Sequence, residues 1–385
     1  MPPKPYWNVR SDSRSPSAHF TRRRFLQAST AAVSGVALSN CARNLSSGSQ
    51  GANSPAADSS GADTLYIYTW ANYIDEELIQ SFQDTTGIQA IVDIYDSNEV
   101  MLTRLEAGGG SAYSIVYPSD YAVTQMIESD LLAPLDQSQL TGLDNLKPQW
   151  QNPSYDPGNA HSVPATWGTT GLIYNRELLG ATLTGWDTLY ENIGSLTRQV
   201  TLINDVREVM GATLQYLGYS LNSTNPDEIE AAYEKLLELR PTIAAFLTNG
   251  WEDQLASGDL TVAMAYSSDA LALIEENPGL EYVVPETGAS LWTDTMAIPK
   301  TAPNVDAAYQ WINFVMEPEN SARLVERLKF ATPSQAAFDL LPTNLKTDDD
   351  LFPPDSILNK TAEVAVVPPD IADLYDRYWT QLTSG

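Results

Sequence analysis

Leu65-Tyr66-Ile67-Tyr68, then Leu78, Ile79 and Phe82 at helical spacing, then Gly87 and the run from Ile88 to Ile94: the fold turns on this stretch. The first four residues read as a buried strand. The residues from Asp75 to Thr86 read as a helix with one apolar face, which Gly87 stops, and Ile88 to Ile94 reads as a second strand. The pattern continues outward. Ser97 or Asp96 can cap a helix carrying Met101, Leu102 and Leu105, closed by Gly108-Gly109-Gly110. Tyr113 to Tyr117 reads as a third strand, with a helix around Val123 to Glu128. Beyond the Pro/Asn/Gly-rich stretch from Pro148 to Asn159, strands are expected at Gly171–Tyr174, Val200–Ile203, Leu260–Ala265, Glu281–Val284 and Thr295–Ile298. Helices are expected at Arg207–Leu217, Pro226–Leu239, Ala307–Met316, Asn320–Leu328 and Ile371–Leu382. Such alternation implies an α/β fold with parallel layering.

The segment ahead of this body has a different character. Arg22-Arg23-Arg24-Phe25-Leu26 precedes a short apolar run, Ala28 to Leu38, which reads as a twin-arginine export signal. The run is shorter than the ~20 residues a membrane span needs. Leu38-Ser39-Asn40-Cys41 resembles a lipobox, giving two alternatives: a Cys41-acylated anchor, or a periplasmic protein cleaved nearby. Residues 42 to 63, rich in Ser, Gly, Ala and Asn, read as a flexible linker. Removing residues 1 to 41 leaves 15 basic against 48 acidic residues, a net charge near −33. Such a surface disfavours nucleic acid, whose binding depends on Lys and Arg facing phosphate. It favours small cations. With one cysteine there is no disulfide framework, and His161, a loop residue, is the sole histidine after the leader. Histidine-based triads and multi-histidine metal sites are therefore not expected. Some 320 residues favour two lobes over one.

The chemistry gathers at strand ends. Tyr68-Thr69-Trp70-Ala71-Asn72-Tyr73 follows the first strand and Pro118-Ser119-Asp120-Tyr121 the third. Asp205-Val206-Arg207-Glu208, Tyr266-Ser267-Ser268-Asp269 and Trp292-Thr293-Asp294 hold similar places. Ligands of open α/β sheets bind outside the carboxyl ends of strands, so these segments can converge on one crevice. Indole and phenol faces with carboxylates suit an alkyl ammonium, with rings covering methylenes and acids taking the charged ends. Taken singly, each residue has a plain alternative as core or helix cap.

From about Thr64 onward the chain resembles the polyamine-binding proteins of bacterial ABC transporters. The resemblance rests on Leu65 to Trp70 with Tyr73, Tyr95-Asp96-Ser97-Asn98-Glu99, Val163-Pro164-Ala165-Thr166-Trp167-Gly168-Thr169-Thr170, Asp205-Val206-Arg207-Glu208-Val209, Trp292-Thr293-Asp294 and Ala331-Thr332-Pro333. It implies a two-lobe periplasmic binding protein fold with crossing hinge strands. By that resemblance, 64–168 with 293–338 form lobe 1, and 169–292 with 339–385 form lobe 2. It implies ligand contacts from Trp70, Tyr73, Ser119 and Tyr121, from Asp205 and Glu208, from Tyr266 and Asp269, and from Trp292, Asp294 and Phe330. It also implies a putrescine or spermidine ligand, an inner-membrane permease partner, a monomeric periplasmic receptor, and neither cofactor nor metal. Ala71 and Asn72 depart from the family, which carries Thr or Ser and then an acid there. Tyr266 stands for a tryptophan and Phe330 for the spermidine binders' tyrosine, while Asp269 follows the putrescine-preferring pattern. Two other readings stay open: a receptor for an anion, sugar or amino acid, and a secreted glycosidase using Asp205 with Glu208.

Overall fold

The computed structural model describes residues 64–95 and 97–384. The expected export signal, Cys41, the linker and Asp96 lie outside them. Strand β1 (Thr64–Trp70) leads into the helix Glu76–Thr86, whose first turn is capped by Asp75 accepting from the Leu78 N–H at 2.8 Å. Gly87 closes that helix in a left-handed conformation (φ 76°) that costs glycine little. Strand β2 (Gln89–Tyr95) then pairs parallel with β1, and β3 (Ile115–Val116) pairs parallel on β1's other side. Ser97 caps the helix Asn98–Glu106.

Strand β4 (Ser162–Asn175) organises the molecule. All but its last residue are buried. Its first half pairs antiparallel with β9 (Leu291–Ala297), which pairs with β3. Its second half pairs antiparallel with β7 (Val262–Tyr266) and β8 (Leu280–Val283). Strands β5 (Val200–Leu202) and β6 (Ile243–Phe246) extend the far side in parallel with β7. The layering is therefore mixed. β1 to β3 and β5 to β7 are parallel as expected, whereas β4, β8 and β9 run against their neighbours because the chain crosses between two bodies and returns.

The packing shows those bodies. Val163, Ala165 and Trp167 of β4 pack in one core with Leu65, Ile67, Phe82, Trp150 and Trp311. Leu172 and Tyr174 pack in another with Trp186, Val200, Leu236 and Tyr375. Between them the strand carries Gly168 and Gly171. A Cβ at Gly168 would overlap the Trp292 ring, and one at Gly171 would overlap the Val283 carbonyl. Leu341 and Leu351 still pack in the first core, and Ile371 packs in the second. Among the described residues no helix is long and apolar enough to cross a membrane.

Candidate functional site

The junction of the two bodies is floored by a continuous chain of rings. Tyr73, just past β1, packs against Phe330 at 4.6 Å between centroids and against Tyr117 at 5.4 Å. Phe330 meets Trp292 of β9 edge-on at 6.2 Å, and Trp292 meets Tyr266, at the end of β7, at 5.9 Å and 80°. Trp70 stands beside this row. Its Nε1 donates to the Tyr117 carbonyl at 2.9 Å and its ring lies 4.6 Å from Tyr95. Strand alternation puts Asp294 on the same face of β9 as Trp292.

Asp294 is 7 % exposed, and its Oδ1 accepts from the Ser119 hydroxyl at 2.6 Å. Burial pushes its carboxyl up to about 7, although hydrogen bonds from Ser119 and Tyr73 pull the other way. The Tyr73 hydroxyl also lies against Thr166 Oγ1. Across the junction, Asp205 caps the helix Val206–Tyr216, accepting from the N–H groups of Arg207 (2.8 Å) and Glu208 (3.1 Å). This places Glu208 in the first turn, where its Oε2 accepts from the Ser290 hydroxyl at 2.6 Å. Burial, then the Asp205 charge, push Glu208 up to about 7; burial also raises Asp205.

The Tyr266 phenol ties these groups together. Burial raises its pKa first, followed by the charges of Glu208, Asp205 and, further on, Asp294. Tyr121 adds a bridge: its hydroxyl donates to Glu99 Oε1 at 3.0 Å and accepts from Asn98 Nδ2 at 2.9 Å. Its own pKa is raised by burial, then by Glu99 and Asp205. The structure thus brings Tyr73, Ser119, Tyr121, Asp205, Glu208, Tyr266, Trp292, Asp294 and Phe330 to one place, with Trp70 beside them. Asp269 follows Tyr266 by three residues. It lies in the first turn of the helix Ser267–Glu276, and the charge acting on it is Glu252. Arg207 turns away from the rings, donating to the Ala365 carbonyl and to Asn222 Oδ1, both at 3.0 Å.

A slot of buried rings and acids between two α/β bodies is what a receptor for a small solute requires. The family of bacterial extracellular solute-binding proteins matches residues 77–353. The chain belongs to that family. Among its members, the spermidine/putrescine-binding periplasmic protein of Salmonella typhimurium is 34% identical over 342 residues, covering 89% of this chain and 97% of the relative. The putrescine-binding periplasmic protein SpuD of Pseudomonas aeruginosa is 33% identical, covering 87% and 96%. Among solved structures, the spermidine/putrescine transporter substrate-binding protein PotD of Streptococcus pneumoniae superposes with a TM-score of 0.76 at 36% identity, covering 84% of this chain and 99% of that one. The Tp0655 lipoprotein of Treponema pallidum superposes with a TM-score of 0.74 at 26% identity, covering 84% and 100%. This solute-binding protein therefore has the two-lobe periplasmic binding protein fold.

Sequence reasoning assigned no role to three neighbours of the slot: Glu99, Tyr95 and Asp120. Glu99 and Tyr95 lay inside a quoted motif. Asp120 followed Ser119 directly, and its burial was the signal that strand-end reading lacked. Among the described residues no cluster of His, Cys, Asp and Glu is arranged to hold a metal ion.

Proposed function

We propose that this protein is the substrate-binding receptor of a polyamine ABC transporter, holding putrescine or spermidine between its lobes. One observation carries the reading: the ring chain Tyr73–Phe330–Trp292–Tyr266 runs between buried carboxylates, while Arg207 faces elsewhere. Rings hold a methylene chain and attract cations at ~0.5–2 kcal/mol each. Carboxylates add charge-assisted hydrogen bonds of ~1.5–3 kcal/mol each. The lobes meet at β4 and β9, with the last crossing between Phe352 and Ile371 rather than at residue 339, in keeping with where Leu351 packs. Ligand contacts from both sides favour the closed arrangement.

In this reading the protein is a receptor and not an enzyme. Asp205 is occupied as a helix cap and Glu208 by Ser290, which suits binding better than a carboxylate pair waiting for a glycosidic bond. It acts in the periplasm as a monomer, held at the inner membrane by acylated Cys41, and passes its ligand to a permease. Titration calorimetry with putrescine, spermidine, spermine and monovalent amines tests the central statement. Absence of binding heat for every polyamine would end it.

A further inference from the structure

The helix Ser267–Glu276 rides between the two bodies. Its Ala270 packs with Ile173, Trp251 and Tyr282 of the second body, with Leu273 and Ile274 beside it, while its Leu271 is buried in the core of Leu65, Ile67 and Trp311. Glu275 lies one helical turn beyond Leu271 and so shares the face turned to the first body. There its Oε1 meets Lys329 Nζ at 2.6 Å. Lys329 follows the helix Pro318–Leu328, whose Leu324 and Val325 pack in the first core. The ion pair therefore crosses the junction.

This lysine differs from a surface cation. It is 7 % exposed, and its Nζ also donates to the Glu326 carbonyl at 2.7 Å. Its backbone is left-handed, with φ 58°, a conformation that costs a side chain free energy and glycine little. A buried ammonium on such a backbone persists because its surroundings compensate. Phe330, next in the chain, stands in the ring row between Tyr73 and Trp292. Ala331 after it is tied to Trp167 of β4, donating at 3.1 Å and accepting at 2.9 Å. Phe330 is thus held on one side by β4 and on the other by the ion pair to the opposite body.

We propose that Lys329 is a positioning residue for ligand retention: its ion pair with Glu275 forms as the lobes close, holds Phe330 in the ring row and slows release of the amine. This rests on the polyamine reading of the slot. On opening, Glu275 leaves with the second body and both charges return to water, where such a pair contributes little. The pair therefore acts after encounter. It sets how long the closed form lasts, not how often ligand arrives.

Stopped-flow tryptophan fluorescence of the full chain with spermidine tests this on Lys329→Gly, Glu275→Gln and the double variant. Glycine suits a φ of 58°, so Lys329→Gly removes the pair without harming the fold. Each single variant should raise the dissociation rate about fivefold, the upper end for a partly exposed ion pair, and leave the association rate within about twofold. The double variant should release spermidine no faster than the faster single, because both changes remove one contact. An unchanged dissociation rate in either single, effects that multiply in the double, or an equal fall in the association rate would overturn this role. No spermidine signal from the unaltered chain would instead end the polyamine reading, and amine retention with it.

Discussion

Polyamine affinity should fall steeply as the medium is acidified through neutrality. Asp294 and Glu208 each have a carboxyl pushed up to about 7, first by burial and, for Glu208, then by the Asp205 charge. A polyamine keeps its ammonium protons throughout pH 6 to 8, since alkyl ammoniums titrate near 10. Binding requires the acids ionised, and the bound cation holds them so. At pH 6 each group is ionised only about one tenth of the time, at pH 8 about nine tenths, so each contributes roughly tenfold. Together they predict about a hundredfold loss of affinity from pH 8 to pH 6, with close to two protons released per ligand at pH 6 and few at pH 8. Calorimetry in buffers of different ionisation heat reads both quantities. Asp294→Asn should cut the pH dependence to about tenfold while weakening binding at pH 8 by ~1.5–3 kcal/mol. Affinity flat from pH 6 to 8, or no proton release at pH 6, would refute the argument that these acids wait partly protonated for a cation.

Ligand-free stability should carry the matching signature. Both carboxyls sit at about 7 when folded, above the ordinary 3.8 for Asp and 4.5 for Glu. Their contribution is therefore fully present below about pH 4 and is lost as pH rises toward 7. Saturating spermidine should offset that loss, because the ammonium replaces the proton. Melting curves at pH 5 and pH 8, with and without ligand, compare the two directly.

Trp292→Ala should weaken polyamine binding by ~1–3 kcal/mol through loss of the central ring; calorimetry with an unchanged affinity would misplace the slot. Gly168→Ala should lower affinity without touching the ligand, because the added methyl overlaps the Trp292 indole, and near-ultraviolet dichroism should change with it. Arg327→Ala should lower stability by about 1 kcal/mol, by breaking the half-buried ion pair with Asp75 and its weaker link to Glu77. Polyamine affinity should be unmoved, and a large affinity change would mean that the pair also shapes the slot.

Much of the fold was legible where local chemistry agrees with the period. Asp75 before an apolar helical stripe and Gly87 after it bound the first helix at the expected place. Asn225 with Pro226 opens the helix Pro226–Leu239 for the same reason. Strand β4 was only half visible. Its sequence from Ser162 to Asn175 has no apolar–polar alternation because both faces are buried, and Gly168 and Gly171 look like breaks. In the structure those glycines are where Trp292 and the Val283 carbonyl press against the backbone. The antiparallel sense of β9 was equally hidden, because strand direction follows from the crossing between bodies and not from residues 291 to 297.

The site divides along the same line. Strand-end position brought Tyr73, Ser119, Asp205 and Tyr266 into view, since a strand's end is fixed by its own residues, whereas Asp294 lies in the middle of β9 and not beside its end. Asp269 came into view as a ligand contact only through the resemblance, and the structure puts it in the first turn of the helix that Tyr266 caps. Ionised carboxyls buried without a cation are costly, and holding protons near neutrality relieves that cost. The proton is held there by the cost of burying an ionised carboxyl, so an ammonium that brings its own charge and a ring-covered chain can displace it. Selectivity for multiply charged amines then follows from charge number: a diamine or triamine replaces several protons at once, which a neutral or anionic solute has no charge to do.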